Sequence, residues 1–129
     1  MPVEPAATAL QILIVDDSSH FLDAARRALE RDGLIVVSTA ANSMEALRLA
    51  AETAPDAILV DVDLGDESGL DLAQQLATAD RARVVLISAY PESELTDLIA
   101  ASPAVGFVAK SELSSLAITN LLGEARDRG

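Results

Sequence analysis

Five short runs of Leu, Ile, Val and Ala recur along the chain, each followed by a segment with apolar residues at three- and four-residue spacing. The runs are Leu10–Val15, Leu34–Thr39, Ala57–Asp61, Arg83–Ser88 and Val105–Lys110. They alternate little with polar residues, which is the pattern of strands covered on both faces. Strand and helix alternating five times imply a parallel sheet with right-handed crossovers. The expected architecture is α/β: a doubly wound, five-stranded parallel sheet in the order 2-1-3-4-5.

The intervening segments carry helix signals. Ser18 or Ser19 can cap a first helix, with Phe21, Ala25, Ala28 and Leu29 on one face, and Asp32-Gly33 ends it. Asn42 and Glu45 resemble a capping box for a helix that reaches Ala54 and stops at Pro55. A third helix reads from Gly69 to about Ala79, with Leu72, Ala73 and Leu76 inward. Pro91, Glu92 and Glu94 suit the start of a short fourth helix with Leu95, Leu98 and Ile99 as its stripe. Ser111 can cap a fifth over Glu112–Leu122, with Leu113, Leu116, Ala117 and Leu121 inward. The expected organisation is a disordered N-terminal tail (1–9), one domain (10–122) and a charged C-terminal tail or linker start (123–129).

Composition bounds the partners. The 129 residues suit one domain, and half of them are apolar, so a packed core is expected. With 21 acidic against nine basic residues the net charge is −12, which argues against binding nucleic acid or an anionic membrane surface. No apolar run approaches the ~20 residues of a membrane span. The start, MPVEPAATA, lacks a signal peptide's basic and apolar regions, so a soluble, cytoplasmic domain is expected. Cysteine is absent, which excludes disulfide and thiolate–metal frameworks. Eight of the basic residues are Arg and one is Lys, at position 110.

Chemistry collects where the strands end. The first is followed by Asp16 and Asp17, the third ends in Asp61, the fourth in Ser88 and the fifth in Lys110. In the order 2-1-3-4-5, strands 1 and 3 are central neighbours, and ligands bind beyond their carboxyl ends. Two carboxylates ~4 Å apart repel by roughly 4 kcal/mol at an effective dielectric near 20, so three together call for a cation or protons. All-oxygen ligation suits Mg²⁺ better than Zn²⁺. A carboxylate, a hydroxyl, an ammonium and a hard cation are the parts of a phosphoryl-transfer site, in which the carboxylate becomes an acyl phosphate.

These residues resemble, in order and over essentially the whole stretch from Leu10 to Leu122, the receiver domain of two-component response regulators, with its flavodoxin-like fold. The matching features are Asp16-Asp17, Asp61 after an apolar strand, Gly69 eight residues on, Ser88-Ala89 and Lys110. The resemblance implies a signalling switch rather than an enzyme. It implies that Asp61 takes a phosphoryl group from a phosphohistidine on a sensor histidine kinase or phosphotransfer protein. Asp16, Asp17 and Asp61, with the backbone carbonyl of Asp63, would hold Mg²⁺. Ser88 and Phe107 would then relay the change to the face formed by helix 4, strand 5 and helix 5, through which a homodimer could form. The ending FVAKSELS is similar to receivers that precede helix-turn-helix output domains.

Some positions depart from the family's commonest pattern. Gly65 replaces a usual Pro, which is expected to loosen the loop before the third helix, and Ser111 replaces the Pro that often follows the Lys. Asp63 and Tyr90 flank the site, where the family tunes phosphoryl lifetime. Two rival readings are a binding-only pseudo-receiver and a haloacid-dehalogenase-type phosphatase. The second shares the D-x-D spacing of Asp61 and Asp63, but its acid pair comes last in the chain rather than first. His20, the single histidine, reads as a solvated residue at a helix start.

Overall fold

A computed structural model of the chain describes residues 10–31, 33, 35–79 and 83–128. Five strands form one parallel sheet: β1 (Leu10–Val15), β2 (Ile35–Ala40), β3 (Ala57–Asp61), β4 (Arg83–Ser88) and β5 (Gly106–Ala109). Their order is β2-β1-β3-β4-β5, as the alternation predicts. Five helices connect or follow them: α1 (Ser19–Glu30), α2 (Ser43–Thr53), α3 (Gly69–Ala79), α4 (Thr96–Ala101) and α5 (Ser115–Arg128). The anticipated tail at 1–9, and Asp32 and Leu34 at the first helix–strand junction, lie outside the described residues.

The strand period of two divides the core into two layers. Ile12, Ile14, Leu59, Val85, Ile87 and Val108 face α1 and α5, where they meet Leu22, Ala25, Leu29, Ile118 and Leu122. Leu13, Val15, Ile58, Val60, Val84 and Leu86 face the other way, against Ala46 and Ala50 of α2 and Leu72, Ala73 and Leu76 of α3. Each fully buried Leu, Ile or Val stabilises by about 1.5–3 kcal/mol, so a few of them offset the repulsion of an acidic cluster at the rim.

Local signals set most boundaries. Ser18 caps α1, its hydroxyl accepting the Phe21 N–H at 3.2 Å. Asn42 caps α2 by accepting the Glu45 N–H at 2.9 Å, and the Glu45 carboxylate reaches back to the Ala41 N–H. Helix α2 ends at Ala54, which takes a left-handed φ of 45° just before Pro55.

The last helix differs from expectation at both ends. A 3-10 turn over Lys110–Glu112 delays its start, and Ser114, not Ser111, caps it by accepting the Ala117 N–H at 3.0 Å. This shifts the inward face to Ile118 and Leu122, with Leu113 and Leu121 partly buried and Leu116 exposed to solvent. The helix also continues to Arg128, through the segment expected to be a tail. Glu124–Arg128 contain no helix breaker, so nothing local stops it. Similarly, α4 is preceded by a 3-10 turn over Glu92–Glu94, and Leu98 of the expected stripe is exposed.

Candidate functional site

At the carboxyl ends of β1 and β3 the acids come together. One oxygen each from Asp16, Asp17 and Asp61 lie within 4.8 Å of one another. Asp16 and Asp61 are buried and Asp17 is exposed. Backbone geometry fixes the first two. The Ser18 N–H donates to Asp16 Oδ1 at 2.8 Å, and the Asp63 N–H donates to Asp61 Oδ1 at 3.1 Å. Each carboxylate is thus held by the backbone two residues after it, beyond the end of its strand.

Lys110, just past β5, completes the cluster. Its Nζ donates to Asp61 Oδ2 at 2.9 Å and lies 2.5 Å from Asp16 Oδ2. The latter oxygen is buried and has no aligned hydrogen-bond donor, so this close charge contact is its compensation. The ammonium also sits over the ring of Phe21, 4.5 Å from its centroid.

The two charges shift each other's titration. Burial pushes the Asp61 carboxyl above the ordinary aspartate value, and the nearby Asp16 adds to this. The Lys110 contact and the Asp63 N–H pull it back without cancelling the rise. For Lys110 burial works against the charged form, but its contacts with Asp16 and Asp61 outweigh that and lift its pKa above the ordinary lysine value. Burial and ion pairing thus act in opposite directions on each of the two groups, with burial prevailing at Asp61 and pairing at Lys110.

The donor set fits a hard divalent cation. Mg²⁺ prefers oxygen ligands, and three carboxylate oxygens within 4.8 Å of one another could share one such ion. Asp16, Asp17 and Asp61 would hold the ion, with water completing the shell. Among the described residues the cluster includes no nitrogen or sulfur ligand of the kind Zn²⁺ favours.

Ser88, at the end of β4, is buried, and its Oγ accepts the Tyr90 N–H at 3.0 Å. In the sheet register Asp61 stands opposite Ile87, so Ser88 is one residue farther along the same rim. Tyr90 is exposed beside it. Phe107 is partly buried against the α2–α3 layer. The exposed Asp63 carboxylate accepts the Gly65 N–H at 3.1 Å. His20 is exposed on the first turn of α1.

Two features escape a sequence reading. Phe21 reads as core by its spacing, and only the structure places it on Lys110. The second is the form of the loop after β3, where Gly65 sits at the turn of a short hairpin. Asp63–Leu64 and Glu67–Ser68 pair as a small antiparallel ladder, and Gly65, at φ +73°, supplies the positive dihedral of its two-residue turn. The Glu67 carboxylate ties this hairpin to α2, accepting the Ser43 N–H at 2.8 Å and the Ser43 hydroxyl at 2.9 Å. Gly69 then lets α3 approach the backbone of β3, where a Cβ would collide with the Asp61 carbonyl.

Residues 12–120 match the family model of the response regulator receiver domain. The chain belongs to that family. A protein-glutamate methylesterase/protein-glutamine glutaminase from Syntrophomonas wolfei is 35% identical over 106 residues, 81% of this receiver chain and 30% of that protein. A LuxR-family two-component response regulator from Aurantimonas superposes with a TM-score of 0.79 at 28% identity, covering 90% of this chain and 86% of that one. A Burkholderia pseudomallei response regulator, whose crystal structure contains a phosphorylated aspartic acid, a calcium ion and citrate, gives 0.74 at 29%, covering 92% and 72%. The receiver spans about half or less of the length of the curated relatives it matches. Among its described residues no helix is long and apolar enough to cross a membrane.

Proposed function

We propose that this receiver is a phospho-accepting switch in which Asp61 is the acceptor. The observation that carries the reading is the 2.9 Å contact of Lys110 with Asp61 Oδ2 inside a cluster of three carboxylates. A carboxylate oxygen of Asp61 attacks the phosphorus of a phosphohistidine. The P–N bond breaks, the imidazole leaves with the electron pair, and Asp61 becomes an acyl phosphate. Hydrolysis later returns the carboxylate and releases inorganic phosphate.

A bound Mg²⁺ supplies positive charge for the phosphoryl oxygens. Its holders in this reading are Asp16, Asp17 and Asp61, with the backbone carbonyl of Asp63. Lys110 neutralises another phosphoryl oxygen, and the Ser88 hydroxyl donates to a third once it leaves the Tyr90 N–H. That rotation frees space that Phe107 takes up, re-setting the face of α4, β5 and α5, through which a second copy would dock. The donor is a sensor histidine kinase or a phosphotransfer protein, and the setting is the cytoplasm. The phosphorylated aspartic acid and calcium ion of the Burkholderia structure support both the acceptor and the hard-cation site. Likeness to a LuxR-family regulator and to transcriptional regulatory proteins supports an output in gene expression.

Incubation with phosphoramidate or acetyl phosphate and Mg²⁺, followed by intact-mass measurement, tests this. The wild-type chain should gain one phosphoryl group, and Asp61→Asn and Asp61→Ala should gain none. An unchanged wild-type mass under several donors would leave a binding-only role.

A further inference from the structure

We propose that Phe21 is a positioning residue for the Lys110 ammonium, holding it at Asp61 by the face of its ring. The inference rests on the phosphotransfer reading above. Lysine carries about 2 kcal/mol of side-chain rotamer entropy, and a phosphoryl-transfer site needs that freedom removed before reaction. Asp16 and Asp61 engage two directions of the ammonium at 2.5 and 2.9 Å. The ring of Phe21, 4.5 Å away, covers another with π-electron density. The Lys110 side chain keeps only 20% of its exposure, so this contact acts in a poorly hydrated setting.

The chain reaches this arrangement through a short relay. Asp16 Oδ1 accepts the Ser18 N–H, Ser18 Oγ accepts the Phe21 N–H, and Phe21 is therefore set in the first turn of α1. The residue that needs Lys110 as a counter-charge thus begins the turn that brings the ring to it. When the negative charge of Asp61 passes outward onto phosphoryl oxygens, the ring keeps the ammonium from swinging into solvent with the departing charge.

The single lysine makes the contact observable without any reaction. Protein carrying ¹³C-labelled lysine gives one ε-methylene signal, which the ring current should move upfield in the metal-free wild type. Phe21→Leu should return it to the position of free lysine. Phosphorylation by phosphoramidate at saturating Mg²⁺ should slow about two- to fivefold in Phe21→Leu. Pentafluorophenylalanine at position 21 keeps the ring's shape but reverses its quadrupole, and it should slow the reaction likewise. Phe21→Tyr, with an electron-rich face, should recover the rate.

A free-lysine shift in the wild type would overturn the proposal. So would equal rates in the wild type, the Leu variant and the fluorinated protein. If the wild type takes no phosphoryl group, the phosphotransfer reading itself fails, and with it the role assigned to Phe21. If the wild type is labelled but the variants match it, only the role of Phe21 falls.

Discussion

Asp61 is held in a place that does not suit its charge. Its raised pKa means that the folded chain binds a proton there more tightly than the unfolded chain does. Stability from this group therefore falls as pH rises from about 3.9, the unfolded value, through the folded one. At pH 7 it is a net cost. Asp61→Asn should raise the melting temperature of the metal-free protein at pH 7, and the gain should vanish as pH falls toward 4. A gain that persists at low pH would mean the effect is not ionisation. Lys110 has the opposite logic: its contribution is complete below its unfolded value of about 10.4 and is lost as pH rises through the raised folded one. Among these residues, the acids, Ser88 and Lys110 were readable because each ends or follows an apolar run. Phe21 was not, because a ring at helical spacing looks the same whether it covers a core or a cation.

At the scale of elements, β1, β3, β4 and α3 begin and end where their apolar runs and turn residues say. Helix α5 does not, because the 3-10 turn after Lys110 has no sequence signature of its own and moves the register of everything after it. The hairpin between β3 and α3 was hidden for a similar reason, since two-residue strands are too short to show a period. Gly65 is its sensitive point. A Cβ there would stand 2.8 Å from Asp17 Oδ2, on a backbone with φ of +73°. Gly65→Ala should cost about 1–2 kcal/mol in denaturant unfolding. It should also weaken the Mg²⁺-dependent rise in melting temperature, because the displaced carboxylate is one of the three gathered acids. Gly69→Ala forces α3 away from β3 and should cost about 1–3 kcal/mol with or without metal.

At the scale of the whole molecule, the doubly wound order explains why residues far apart in the chain share one rim. The alternation of strands and helices carried that order, while the depth and hydration of the cluster depended on packing that no local pattern records. A folded site that gathers three acids should bind cations in preference to the unfolded chain. At a Mg²⁺ concentration one hundred times the dissociation constant the gain is about 2.7 kcal/mol, visible as a higher melting temperature. Asp16→Asn should shrink that gain, and no response to millimolar Mg²⁺ in the wild type would count against the metal site. With a net charge of −12, the chain should also gain stability from monovalent salt, which screens its self-repulsion. That gain should survive in Asp16→Asn.

The outer margin of the sheet at β2 has a lock of its own. The Val37 N–H donates to Glu30 at 2.8 Å, and its carbonyl accepts from Arg26 at 3.2 Å. One turn of α1 thus imitates, with two side chains, the outer neighbouring strand that β2 lacks among the described residues. A foreign peptide seeking to zip onto this border meets a decoy at mid-strand and would have to displace both ends of it. The sheet consequently has a guarded flank, on the side remote from Lys110, that resists templated growth while the signalling rim stays open.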